Sequence, residues 1–212
     1  LSKHQGSFAA PDGRLGHTSL VEHTIDTGDT RPIKCRARRL PAAQYEMIDK
    51  ELDKMLALGA IEPSDSPWAS RVVLARKKDG TVRFCVDYRL VNAATKKDSY
   101  PIPNIADTYD SLAGSKYFCS LDLASGYWQV SVDPKDRPKT AFITRRGLFQ
   151  FNVLPFGLCN APATFERLME VVLRGLLWER CMVYLDDVIV YGATFEQTFE
   201  NFDQVLALSI FY

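Results

Sequence analysis

The 212-residue chain is 46% hydrophobic and 25% charged, enough apolar material for a buried core and an ordinary globular balance. Its 26 basic and 26 acidic residues cancel, no apolar run is long enough to span a bilayer and no signal-peptide pattern opens the sequence, so a soluble intracellular protein without a membrane partner is expected. Five cysteines scattered from Cys35 to Cys181 argue against a disulfide framework and a thiolate metal site, and His4, His17 and His23 have neither Cys partners nor helical spacing for zinc.

The zero balance hides an uneven distribution. Five basic residues and no acid lie between Arg31 and Arg39, and eight basic residues stand against Asp79 and Asp87 between Arg71 and Lys97. After Arg180 the sign reverses, with Asp186, Asp187, Glu196, Glu200 and Asp203 and no Lys or Arg. A basic front and an acidic end suit an enzyme that holds polyphosphate or nucleic acid with one part and metal ions with another; a solvated charged surface would carry the same pattern.

Residues 1–28 read as a loosely structured lead-in, and no internal repeat is present. From Gln44 to Leu58, Ile48, Leu52, Met55 and Leu56 recur at helical spacing and Gly59 supplies a stop, which predicts an amphipathic helix. The turn-rich stretch Pro63 to Ser70 precedes two strands, Arg71 to Ala75 and Thr81 to Asp87, joined through Lys77-Lys78-Asp79-Gly80 as a hairpin with a basic tip. Pro101 and Pro103 break the chain before a short helix from Asn104 to Ala113, and a strand follows from Lys116 to Asp122. The polar, basic stretch Asp133 to Arg146 leads into a strand at Leu148 to Val153. Asn160 as cap and Pro162 in the first turn open a helix to about Arg174, with Phe165, Leu168, Met169 and Val172 on its apolar face. Cys181 to Leu185 and Val188 to Tyr191 are two apolar strands meeting at Asp186-Asp187.

Two adjacent carboxylates between apolar strands are electrostatically unfavourable, and an ordinary hairpin turn would use Asn-Gly or Asp-Gly. An exposed Asp-Asp turn bonding its own backbone is one explanation. A third carboxylate, Asp122, ends the apolar strand Tyr117 to Leu121 and is followed by the Ser125-Gly126 turn. Three oxygen donors from two strands could hold two magnesium ions about 4 Å apart, which is the arrangement for in-line phosphoryl transfer.

Four blocks then resemble reverse transcriptases, most closely those of Gypsy-type long-terminal-repeat retrotransposon Pol polyproteins. They are KKDGTVRFCVDYRLVN at 77–92, KYFCSLDLASGYWQV at 116–130, LPFGLCNAPATFERLM at 154–169 and VYLDDVIVYG at 183–192. With HTIDTGDTRPI and SPWAS, the resemblance runs from about His23 to Glu196. It implies an α+β fold, the fingers and palm of a polymerase right hand, with an antiparallel palm sheet backed by helices. The implied division is a lead-in at 1–28, fingers at 29–98 and 131–157, and palm at 99–130 and 158–212.

The resemblance also implies roles. Asp122, Asp186 and Asp187 are the catalytic carboxylates, and with the Leu123 carbonyl they hold two Mg2+, or Mn2+ in their place. Tyr127 blocks a 2′-hydroxyl on the incoming sugar; without the family match it would read as a core tyrosine beside Trp128. Lys77 and Arg83 grip the triphosphate, a mobile point charge and a planar fork respectively. Phe156 and Gly157 line the nucleotide pocket, and Pro162 starts the helix behind the nascent base pair. Asp87, Arg89 and Asn92 lie near the template strand, and Tyr184 belongs to the nucleic-acid side of the carboxylate hairpin. The implied partners are an RNA or DNA template with its primer, deoxynucleoside triphosphates and, in a full element, covalently linked protease, RNase H and integrase domains. The implied compartment is the cytoplasm, a cytoplasmic virus-like particle or the nucleus.

Two departures from the family pattern stand out. Val82 occupies the place where Trp is usual before the fingers arginine, and after Glu196 the chain reads QTFENFDQVLALSIFY. The expectation is therefore a chain truncated before the primer-holding hairpin and thumb. Three readings compete: an RNA-directed DNA polymerase domain, an inactive truncated remnant that at most binds nucleic acid or a protein partner, and a metal nuclease using the same carboxylates. Nuclease chemistry gives no reason for Tyr127 or the basic hairpin.

Overall fold

A computed structural model describes residues 4, 16–76, 80, 82–101, 110–123, 125–184 and 187–209. In chain order the elements are β1 (Thr18–His23), α1 (Ala42–Ala57), β2 (Ile61–Pro63), β3 (Ser70–Arg76), β4 (Val82–Asp87), α2 (Arg89–Ala94) and β5 (Tyr117–Asp122). They continue as β6 (Val130–Val132), β7 (Phe142–Thr144), β8 (Gly147–Phe151), α3 (Ala161–Val172), β9 (Cys181–Tyr184), β10 (Asp187–Gly192) and α4 (Phe195–Ser209). Short 3-10 turns occupy Gly126–Gln129 and Arg137–Thr140. Among the described residues no helix is long and apolar enough to cross a membrane.

The chain divides into two compact units, each assembled from separate stretches. The first comprises 1–21, 98–129 and 162–212; the second comprises 22–97 and 130–161. The second unit is built on a five-stranded sheet of order β2-β8-β7-β3-β4, antiparallel except where β7 runs parallel to β3. Phe142 anchors its core: fully buried, it contacts the rings of Phe84, Phe149 and Phe151 at centroid distances of 5.6, 6.1 and 5.3 Å. The predicted helix is α1, and it buries Ile48, Leu52 and Met55, which share one helical face. Tyr88 is also fully buried, and its hydroxyl donates to the Thr140 carbonyl at 2.8 Å, which supplies the partner a buried phenol needs. Burial pushes that phenol well above its ordinary pKa.

The first unit carries a three-stranded antiparallel sheet of order β5-β10-β9. Val188 and Val190 of β10 are buried and lie opposite Leu121 and Cys119 of β5 and Val183 and Cys181 of β9. Helix α4 packs against β10 and β5. Its Asn201 is buried and donates from Nδ2 to the Tyr191 carbonyl at 2.9 Å, fixing the helix to the strand that begins with Asp187.

Several elements differ from expectation. The lead-in contains β1, whose buried ends Thr18 and His23 are polar while Leu20 is exposed, so no apolar alternation marks it. Within the stretch read as polar, Phe142–Thr144 forms β7. The hairpin tip at 77–79, most of the helix expected at 104–113, and Leu185 and Asp186 lie outside the described residues.

Candidate active site

The carboxylates follow from strand parity. Successive side chains of a strand alternate faces, so the buried Val188 and Val190 leave Asp187 on the opposite face, and Leu121 and Cys119 do the same for Asp122. In register, Asp187 is the direct partner of Asp122 on β5 and of Tyr184 on β9. Asp122, Asp187 and Tyr184 thus form a row across the three strands. Directly opposed residues of an antiparallel pair have Cβ atoms about 4.5–5.5 Å apart, and like charges there destabilise the sheet. Both carboxylates are exposed, and among the described residues neither has a hydrogen-bonding or ion-pairing partner that would offset the repulsion.

The donor set fits a hard divalent cation. Carboxylates and a carbonyl suit Mg2+ or Mn2+ and lack the nitrogen and sulfur that favour zinc. The Leu123 carbonyl accepts the Gly126 N–H at 3.0 Å, which leaves its second lone pair available. Among the described residues no group of three His, Cys, Asp or Glu side chains is gathered at metal-holding distances, so a third carboxylate would have to come from outside them, where Asp186 lies.

Tyr127 is placed by a tight turn. Ser125 adopts φ 48°, and Gly126 approaches α3 so closely that a β-carbon would stand 2.8 Å from Cζ of Phe165. The buried Phe165 ring then supports the Tyr127 ring at a centroid distance of 5.2 Å. A small apolar cavity of about 60 Å³, lined among others by Leu123, Gly126, Phe165, Leu168 and Met169, lies beneath this turn. Phe165 was readable only as part of a helical apolar face; its support of Tyr127 depends on a pairing between distant segments.

The second unit holds Arg83, Asp87, Arg89, Asn92, Phe156 and Gly157, whereas Pro162 lies in the first. Arg83 lies on β4 opposite Ala75, and its guanidinium covers the Phe156 ring at 4.7 Å from the centroid. Gly157 has φ 97°, a conformation that favours glycine, and a β-carbon there would meet the Tyr88 ring at 3.6 Å. Asp87 accepts two hydrogen bonds from Arg89, from Nε and Nη2, both at 2.7 Å, and these bonds hold its carboxyl below the usual carboxylate range. Asp87 also lies opposite Arg71. Asn92, on α2, bonds to the loop after Phe156. Pro162 is the second residue of α3, where its missing N–H is harmless. Lys77 lies outside the described residues.

Comparison with known proteins identifies the family and the fold. A family model described as reverse transcriptase (RNA-dependent DNA polymerase) matches residues 75–209. The chain is 37% identical over 205 residues to a retrovirus-related Pol polyprotein from transposon opus of Drosophila melanogaster, covering 94% of the chain and 20% of that protein. It is 33% identical to the Pol polyprotein from transposon gypsy of the same fly, over 97% of the chain and 20% of the relative. An RNA-directed DNA polymerase homolog of Oenothera berteroana is 50% identical over 111 residues, 52% of the chain and 78% of that protein. The chain therefore spans about a fifth of the length of the curated Pol polyproteins it matches. Among solved structures, the native prototype foamy virus protease-reverse transcriptase superposes with a TM-score of 0.87 at 25% identity, over 97% of the chain and 28% of the viral one. A foamy viral protease-reverse transcriptase in complex with an RNA/DNA hybrid gives a TM-score of 0.87 at 22% identity, over 98% and 28%. The α+β right-hand fingers and palm architecture is shared with these structures.

Proposed function

Because the chain belongs to the reverse transcriptase (RNA-dependent DNA polymerase) family, we propose that it extends a primer on an RNA or DNA template, adding deoxynucleotides by metal-assisted phosphoryl transfer. The observation that carries this reading is the row Asp122-Asp187-Tyr184, with two unneutralised carboxylates directly opposed across an antiparallel pair. Asp122, Asp186, Asp187 and the Leu123 carbonyl would hold two Mg2+, or Mn2+. Bound there, these ions would activate the primer 3′-hydroxyl and stabilise the pyrophosphate leaving group.

The chain's own residues do the rest. Tyr127, supported from below by Phe165, presents a ring wall against a ribose 2′-hydroxyl. Arg83 and Lys77 neutralise the triphosphate, and Phe156 and Gly157 shape the pocket beside it. Asp87, Arg89, Asn92, Pro162 and Tyr184 belong to the nucleic-acid side by family resemblance. The second compact unit takes the place of the fingers and the first that of the palm. Since the relatives are Pol polyproteins, linked protease, RNase H and integrase domains are the proposed covalent context.

Primer extension on an RNA template with magnesium and deoxynucleotides tests the reading, comparing the chain with Asp122→Asn and Asp186→Asn. Extension by the parent and its loss by at least two orders of magnitude in both variants is expected. Equal extension by all three would sink the assignment of the carboxylates; no extension by the parent would favour the alternative, an inactive remnant that at most binds nucleic acid or a protein partner.

A further inference from the structure

Family resemblance puts Asn92 near the template strand, yet both ends of its side-chain amide are engaged inside the protein. Nδ2 donates to the Gly157 carbonyl at 2.8 Å, and Oδ1 accepts the backbone N–H of Cys159 at 2.9 Å. Only this orientation of the amide satisfies a carbonyl at one end and an N–H at the other. The backbone of Asn92 is fixed as well: its N–H donates to the Tyr88 carbonyl at 2.7 Å, and its carbonyl accepts Nζ of Lys97 at 2.6 Å. The amide is therefore a two-point clamp from α2 onto the 157–159 loop.

Phe156 enters that loop immediately before the clamped Gly157. Its ring face carries the Arg83 guanidinium at 4.7 Å, and among the described residues the Arg83 side chain donates no hydrogen bond and forms no ion pair. An aromatic face attracts a guanidinium without occupying its N–H groups in the ring plane. Arg83 is thus located by a ring while its five donors stay free for an anion. A carboxylate in the same place would compete with a triphosphate.

We propose that Asn92 is a positioning residue of the nucleotide pocket: it clamps the loop, which sets the Phe156 ring, which holds Arg83 where it meets the triphosphate. The proposal rests on the reading of Arg83 as a triphosphate ligand. Asn92→Asp keeps the acceptor for Cys159 but turns an oxygen towards the Gly157 carbonyl, and Asn92→Ala removes both bonds.

The test measures binding without chemistry. On the full chain with a chain-terminated primer–template and magnesium, the deoxynucleotide concentration that stabilises the ternary complex gives a nucleotide Kd, and titration of primer–template alone gives a second Kd. Asn92→Asp is expected to raise the nucleotide Kd roughly three- to tenfold, the effect of one lost hydrogen bond, and Asn92→Ala, which loses two, at least as much, with the primer–template Kd unchanged in both. Phe156→Leu should raise the nucleotide Kd similarly, Phe156→Tyr should restore it, and Asn92→Asp added to Phe156→Leu should add little, because both act through one path. If Asn92→Ala does not fold, Asn92→Asp carries the measurement alone. A weaker primer–template Kd with an unchanged nucleotide Kd would return Asn92 to the template and overturn the proposal. Additive effects of Asn92→Asp and Phe156→Leu would also overturn it. If Arg83→Gln leaves the nucleotide Kd unchanged, or the parent forms no nucleotide-stabilised complex, the reading of Arg83 itself fails and the proposal goes with it.

Discussion

Gly126 shows how much of the site depends on single atoms. A β-carbon at this position would lie 2.8 Å from Cζ and 3.1 Å from Cε2 of Phe165, and 3.3 Å from Cβ of Leu123. Phe165 is buried beneath Tyr127, so relief of that clash must displace the ring that supports Tyr127 or the turn that carries Leu123. Gly126→Ala is predicted to destabilise the chain by about 1–3 kcal/mol, the ordinary range for overpacking. Urea denaturation checks this, and an unchanged midpoint would mean that the turn yields without strain. The neighbourhood of Asp122 was legible in the sequence as a strand-end carboxylate followed by a small-residue turn. Its tightness was not, because closeness to Phe165 arises only when α3 is packed. The partnership of Asp122 with Asp187 was likewise beyond the sequence. Val188 and Val190 assign Asp187, and Cys119 and Leu121 assign Asp122, to a face of its own strand, but the register between strands so distant in the chain is settled by packing.

Helix α3 carries a second consequence of burial. Glu166 is 5% exposed, its Oε2 has no hydrogen-bond partner among the described residues, and Glu170 lies one turn further along. Burial first and Glu170 second push its carboxyl up to about 7. An acid whose pKa is raised by folding binds its proton more tightly in the native state, so its stabilising contribution is present at low pH and lost as pH rises from about 4.5 through 7. Glu166→Gln removes that dependence. Thermal melts at pH 5.5 and 8 are predicted to show the variant gaining on the parent as pH rises; parallel profiles would show that Glu166 is ionised and solvated in the folded chain. Among the helices, α1 was readable from Ile48, Leu52 and Met55, whereas α4 was not. Its packed face includes Thr198 and Asn201 as well as Val205 and Leu206, and buried polar positions break the apolar period that identifies a helix. Helix α2 has six residues and buries Val91 alone, too little for any periodicity.

Across the whole molecule, charge is distributed by unit. In the second unit, Arg31, Lys34, Arg36, Arg38 and Arg39 are all exposed, and among the described residues none is ion-paired. Their segment is held in place by its backbone, with Cys35 donating to the Ala69 carbonyl at 2.8 Å and Ala69 donating to the Ile33 carbonyl at 2.9 Å. Free cations on an anchored segment suit a phosphate backbone, whose binding releases counterions. Replacing Arg36, Arg38 and Arg39 by Gln is predicted to flatten the salt dependence of single-strand binding by up to about 0.7 for each phosphate no longer neutralised. Fluorescence anisotropy across a salt series measures that slope, and an unchanged slope would remove this segment from the nucleic-acid surface. The basic stretch was visible in the sequence; its freedom from acidic partners was not, since α1 supplies Asp49 and Asp53 to Arg145 and Arg146 instead.

The most direct test of the carboxylate site is a thermal melt of the parent and Asp122→Asn with and without magnesium at matched ionic strength. Opposed, unneutralised carboxylates predict that magnesium raises the parent's Tm, and that Asp122→Asn melts higher than the parent without metal and responds little to it. An equal response of both proteins to magnesium, or a variant that melts lower without metal, would contradict the assignment of Asp122 and Asp187 to one cation site.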